Sequence, residues 1–124
     1  MNDTRPIHLD LTKMHFPLTA IISILHRFSG ILLFLLLPIF LYALRHSLQS
    51  PSSFAALCIT LRTPVMSILM WILLSAVCLH LLAGIRHLLM DCNIAEDLSD
   101  ANKTAWVVLI LEIIAIFSIG VWLW

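Results

Sequence analysis

The sequence predicts an all-α integral membrane protein with three transmembrane helices. Three observations carry this. Of its 124 residues, 61% are hydrophobic and 11% charged, against about 45–50% apolar and about 25% charged in typical soluble domains. The apolar residues gather into three long runs, each at least as long as the roughly twenty residues needed to cross hydrocarbon. The turn-forming and charged residues lie mainly between those runs. A soluble domain of this length could not bury so much apolar surface, so much of it must face lipid or other chains.

Residues 1–17 are polar, carry Asp3, Arg5, Asp10 and Lys13, and are punctuated by Pro6 and Pro17. They contain no apolar core or small-residue cleavage site, so no cleavable signal is expected and the first span serves as its own insertion signal. That favours a bacterial inner membrane. Residues 18–124 form the membrane unit. Pro17 suits a helix opening, and the first span runs over about 18–44, long enough to tilt. It is interrupted by Ser23, His26-Arg27 and Ser29-Gly30, and Pro38 is expected to kink it. Arg45 to Arg62 read as a loop with turn chemistry at Ser50-Pro51-Ser52-Ser53 and a short interfacial helix over 54–61. The second span covers about 64–89. A polar connector follows over 91–103, and Ser99 or Asp100 is a candidate cap for a third span over 105–124, flanked by Trp106, Trp122 and Trp124 as interfacial aromatics. Arg5, Lys13, Arg86 and Lys103 fall on one side of this layout, and Arg45 and Arg62 on the other. The positive-inside rule therefore sets the N-terminus in the cytoplasm.

Zero net charge without a basic cluster argues against nucleic acid. Cys58, Cys78 and Cys92 fit no zinc, disulfide or covalent-haem spacing and read as small packing residues. The informative residues are polar ones inside spans. His80 lies roughly 9 Å in from Arg86, which marks the exit of the second span, and Arg27 lies roughly 12 Å in from the start of the first. Ser23, His26, Arg27 and His80 therefore share one layer of one leaflet. A histidine inside an apolar span is a functional candidate whose partner must be named. Gly84, one turn after His80, is read as clearing bulk for a large flat ligand, with His80 as ligand to a haem iron. Ser23 and Arg27, spaced i and i+4, present a hydroxyl and a guanidinium on one face, suited to a quinone carbonyl or, for the arginine, to a carboxylate such as a haem propionate. His87 shares the His80 face but stands about 10 Å away, too far for both to ligate one ion.

Plainer readings stand beside these. Arg27 could snorkel to the headgroups, His80 could pair with a neighbouring helix, and Ser23 could bond its own helix. Ser29-Gly30 could be a packing notch, and His26 and His87 could be solvated or helix-pairing residues. Glu112, inside the third span, reads as paired with a partner chain or held protonated rather than catalytic. His8, His15 and His46 carry no signal.

Three stretches together carry a family resemblance: Arg5-Pro6, then Ser23-Ile24-Leu25-His26-Arg27-Phe28-Ser29-Gly30, then His80-x-x-x-Gly84-Ile85-Arg86-His87-Leu88-Leu89-Met90-Asp91. With the three spans they make the chain resemble the family of cytochrome b556 subunits of succinate dehydrogenase, the larger of two small membrane anchors of respiratory complex II. The resemblance implies a place in a heteromeric helix bundle. It implies that His80 is an axial ligand of haem b, the other ligand coming from the second small anchor subunit. It implies that Ser23 and Arg27 line a ubiquinone-reduction pocket beside an iron–sulfur subunit, and that His26, Arg27 and His87 lie near the haem propionates. FAD and the iron–sulfur clusters then belong to the flavoprotein and iron–sulfur subunits, and this chain itself carries no succinate-oxidising residues. It has neither a Gly-rich nucleotide fingerprint nor a cysteine cluster. A fumarate reductase anchor using menaquinone and a non-redox helical scaffold are the alternatives.

Overall fold

A computed structural model describes residues 17–94 and 97–124. It holds four helices in the order α1 (Leu18–Ser47), α2 (Pro51–Leu61), α3 (Pro64–Asp91) and α4 (Leu98–Leu123). The helices α1, α3 and α4 are each long and apolar enough to cross a membrane. The chain is a multi-pass membrane protein. Residues 1–16, including Arg5-Pro6, and residues 95–96 lie outside the described part.

Local chemistry sets the helix ends. Pro17 is extended and its carbonyl accepts from the Ala20 and Ile21 amides at 2.9 and 3.3 Å, opening α1. The helix runs without a break through Pro38 to Ser47, three residues past the expected end. The stretch read as turn chemistry is a helix start: Ser50 caps α2, its hydroxyl accepting from the Ser53 amide at 3.1 Å, with Pro51 at the first helical position. α2 therefore begins three residues before the expected Phe54. Pro64 likewise takes the first helical position of α3, after Thr63, whose side chain makes no cap bond.

At the other end of α3, Asn93 adopts a left-handed conformation with φ of 59°. The Asn93 amide bonds the Met90 carbonyl and the Ile94 amide bonds the Leu89 carbonyl, both at 3.0 Å. That is a Schellman ending, with asparagine in the place usually taken by glycine. α4 then starts at Leu98 with Asp97 as its N-cap residue. The proposed caps Ser99 and Asp100 are inside the first turn, and the connector is shorter than the 91–103 expected. Ala101 and Ala105 explain the difference. They are buried, so packing holds this polar-looking turn helical where propensity alone would not.

α3 packs against both α1 and α4, which also touch each other. The core is small: Ile22, Ala83, Ala105 and Val108, with Leu18 and Leu82 at its edge. The alanines let the backbones approach closely, and the larger apolar side chains face outward. Lipid provides no hydrophobic drive between helices, so close packing and polar bonds must hold them. One such bond is donated by Trp71 Nε1 on α3 to the Ile116 carbonyl on α4, at 2.9 Å.

Trp71→Phe keeps a ring but removes this donor. It should destabilise the α3–α4 pair by about 0.5–1.5 kcal/mol, read as a lower thermal midpoint of the protein in detergent; an unchanged midpoint would show that the bond carries no weight.

Candidate functional site

Where α1 and α3 cross, two glycines and two histidines interlock. A Cβ on Gly30 would stand 3.0 Å from His80 Cε1, and a Cβ on Gly84 would stand 3.2 Å from His26 Nε2. Each helix thus opens a notch for the other helix's imidazole. This corrects the sequence reading of Gly84 as a space beside His80. Helical side chains lean back toward the N-terminus, so the His80 ring points away from a glycine four residues further on. The ring that uses Gly84 is His26.

The His26 and His80 rings stack with centroids 4.3 Å apart and planes 15° from parallel. His87 also lies against His26, centroid to centroid 5.1 Å and tilted by 49°. Three of the predicted site residues are therefore one cluster, half-buried along the α1–α3 seam.

Hydrogen bonds orient the His80 ring. Its Nδ1 is 3.2 Å from the His26 carbonyl oxygen and 3.2 Å from Ser29 Oγ. Ser29 Oγ itself donates to the His26 carbonyl at 2.8 Å. A carbonyl can only accept, and the serine proton is already used, so Nδ1 must carry the hydrogen that serves both oxygens. In a neutral imidazole this leaves the lone pair on Nε2, which has no hydrogen-bond partner among the described residues. Ser29-Gly30, read as a possible packing notch, both admits the ring and orients it.

Ser23 and Arg27 are placed differently. Ser23 is half-buried on α1, one turn before Arg27, which is exposed on the outside of the bundle. Neither joins the imidazole cluster through a hydrogen bond among the described residues, and both are open to whatever lies beside the chain. Among those residues no three His, Cys, Asp or Glu side chains converge as a metal site. His80 can therefore be only one ligand of an ion whose other ligands come from elsewhere. The donor set fits a ligand to a haem iron: one imidazole, oriented through Nδ1, with Nε2 unbonded among the described residues.

One feature escapes a reading of the sequence. Arg86, which marks the span's end by its charge, is 4% exposed. It donates from Nε to Thr104 Oγ1 at 3.2 Å and from Nη2 to the Ala101 carbonyl at 3.1 Å, tying α3 to the first turns of α4. No spacing rule signals a contact between residues fifteen and eighteen apart across a connector. Glu112 is 7% exposed, and its Oε2 is fully enclosed without a hydrogen-bond partner among the described residues.

The model of the succinate dehydrogenase/fumarate reductase transmembrane subunit family matches residues 1–119. The chain is 45% identical over the full length of both proteins to a succinate dehydrogenase cytochrome b556 subunit of Coxiella burnetii. It is 31% identical to a succinate dehydrogenase cytochrome b560 subunit of Reclinomonas americana, over 99% of this chain and 88% of the relative. It is also 31% identical to a cytochrome b556 subunit of Paracoccus denitrificans, over 82% and 78% of the two chains.

Gly30→Val and Gly84→Val should each push an imidazole out of its notch and destabilise the seam by about 1–3 kcal/mol. Gly30→Val should be the worse, because its Cβ has less room. Thermal midpoints of the two variants in detergent check this, and equal, wild-type values would contradict the interlock.

Proposed function

The chain belongs to the succinate dehydrogenase/fumarate reductase transmembrane subunit family, and from that premise we propose that it anchors a succinate:ubiquinone oxidoreductase and supplies one axial ligand, His80, to a haem b shared with a second small anchor subunit. The observation that carries this reading is the pinned Nδ1 of His80, which leaves Nε2 preoriented and without a hydrogen-bond partner among the described residues. When bound, such a haem would supply one-electron redox chemistry.

The chain's own residues would do the rest. Ser29 and the His26 carbonyl hold the His80 tautomer and ring plane. His26 and His87, clustered beside it, would approach the propionates, together with Arg27. Ser23 and Arg27 would grip a ubiquinone carbonyl at the outer face of α1. The Arg27 guanidinium is always charged and would counter the negative charge developing on the quinone oxygen as electrons arrive. This needs a protein wall on the far side, because Arg27 is exposed and Ser23 only half-buried on α1. An iron–sulfur subunit delivering electrons would form that wall, with FAD and succinate oxidation in a flavoprotein subunit beyond it. The N-terminus and the α3–α4 connector would then face the cytoplasm, in a bacterial inner membrane. The relatives named as succinate dehydrogenase subunits favour the succinate dehydrogenase reading over that of a fumarate reductase anchor.

The test is a reduced-minus-oxidised spectrum of the purified complex with a parallel quinone-reductase assay. His80→Ala should lose the b-type band. Arg27→Ala should keep it while quinone reduction falls on the order of 10²-fold, as when a charge-stabilising donor is removed from a catalytic site. A b-type band that survives His80→Ala unchanged would overturn the ligand assignment.

A further inference from the structure

His80 Nδ1 has two acceptors where one would orient the ring. They are not equivalent. Three donors converge on the His26 carbonyl. α1 is unbroken at this level, so the Gly30 amide takes one lone pair as an α-helix requires. The Ser29 hydroxyl takes the other at 2.8 Å. His80 Nδ1, at 3.2 Å, comes third to an oxygen that has two lone pairs. Ser29 Oγ has instead given its hydrogen away and keeps two lone pairs, toward which Nδ1 stands at 3.2 Å. A hydroxyl that donates to a carbonyl is polarised by doing so and accepts more strongly in turn. Ser29 is 5% exposed, so bulk water does little to weaken this chain of bonds.

Packing alone does not call for the second acceptor. A serine inside a helix satisfies its hydroxyl by bonding back to its own backbone, as Ser47 does with the Leu44 carbonyl and Ser75 with the Trp71 carbonyl. Ser29 makes that bond too, and in addition faces a ring nitrogen fifty-one residues along the chain, on another helix. The sequence of bonds from Nδ1–H to the serine oxygen, and from the serine hydrogen to the carbonyl, draws the Nδ1 proton away from the ring. That leaves more electron density at Nε2.

We propose that Ser29 is a positioning residue that sets the redox potential of the iron bound by His80, by raising the basicity of Nε2. The proposal rests on the reading of His80 as a haem ligand and adds to it. A more basic imidazole stabilises ferric over ferrous iron, so the serine hydroxyl holds the midpoint potential down. Removing the hydroxyl returns a carbonyl lone pair to Nδ1. The ring therefore keeps its orientation and its place beside Gly30, and loses only the polarised acceptor.

Redox potentiometry of the purified complex tests this, with the b-type absorption band followed as the solution potential is stepped. Ser29→Ala should keep the band at wild-type height and shift its midpoint to a more positive potential. Ser29→Thr, which restores the hydroxyl, should return the midpoint to the wild-type value. An unshifted or more negative midpoint in Ser29→Ala would overturn the proposal. So would an equal shift in Ser29→Thr, which would trace the effect to packing. Loss of the band or of assembly in Ser29→Ala would make the hydroxyl a structural support and overturn it as well. The ligand reading is tested on a different variant: a band that survives His80→Ala sinks that reading, whereas an unshifted midpoint in Ser29→Ala leaves it standing.

Discussion

The bond from His80 Nδ1 to the His26 carbonyl is the constraint around which the bundle is arranged. It ties α3 to α1 at a level where neither helix gains from hiding apolar surface, because lipid is as apolar as the protein. It requires the backbones to come close, and Gly30 and Gly84 permit that by giving up their side chains to the opposing rings. It shares its proton with a second acceptor, Ser29, which anchors its own hydroxyl to the same carbonyl. And it settles which nitrogen of His80 keeps a lone pair. Packing, tautomer and ligating capacity are thus one arrangement.

α4 is joined to α3 by a different kind of attachment. Here the contacts are a buried guanidinium on a hydroxyl and a carbonyl at one end and an indole on a carbonyl nearer the other. Between them lie Ala83, Ala105 and Val108 of the small core. A polar bond near each end and small residues in the middle hold two antiparallel helices in register without large interlocking side chains. The outward faces of all three long helices keep their bulky apolar groups exposed. That is the surface expected of a chain that completes itself against lipid and other subunits.

Much of this is legible in the sequence. The three spans follow from composition, since apolar runs of such length are what a bilayer crossing demands and what a soluble domain of this size cannot bury. The Ser-x-x-His-Arg-x-Ser-Gly and His-x-x-x-Gly-x-Arg-His patterns draw attention to the residues that meet at the seam. What cannot be read is which residue of one helix faces which of the other. Counting turns without regard to the N-terminal lean of helical side chains gives Gly84 to the wrong imidazole. The early start of α4 is hidden because Ser99, Asp100, Asn102 and Lys103 look like connector. Only the burial of Ala101 and Ala105 between them makes a helix there worthwhile. The clamp made by Arg86 is hidden for the same reason, its acceptors lying beyond a connector whose path no local pattern specifies.

The seam also has a consequence for how the chain is made. Fifty-four residues separate His80 from the carbonyl that orients it, so α1 is synthesised well before its partner is translated. During that interval Gly30 has no ring to receive, and the Ser29 hydroxyl has only its own helix to bond. The fixed tautomer of His80 comes into being only when α3 docks on α1. Any guest that needs an oriented Nε2 must wait for that late step of biogenesis, and a truncated product ending before α3 offers it nothing to grasp.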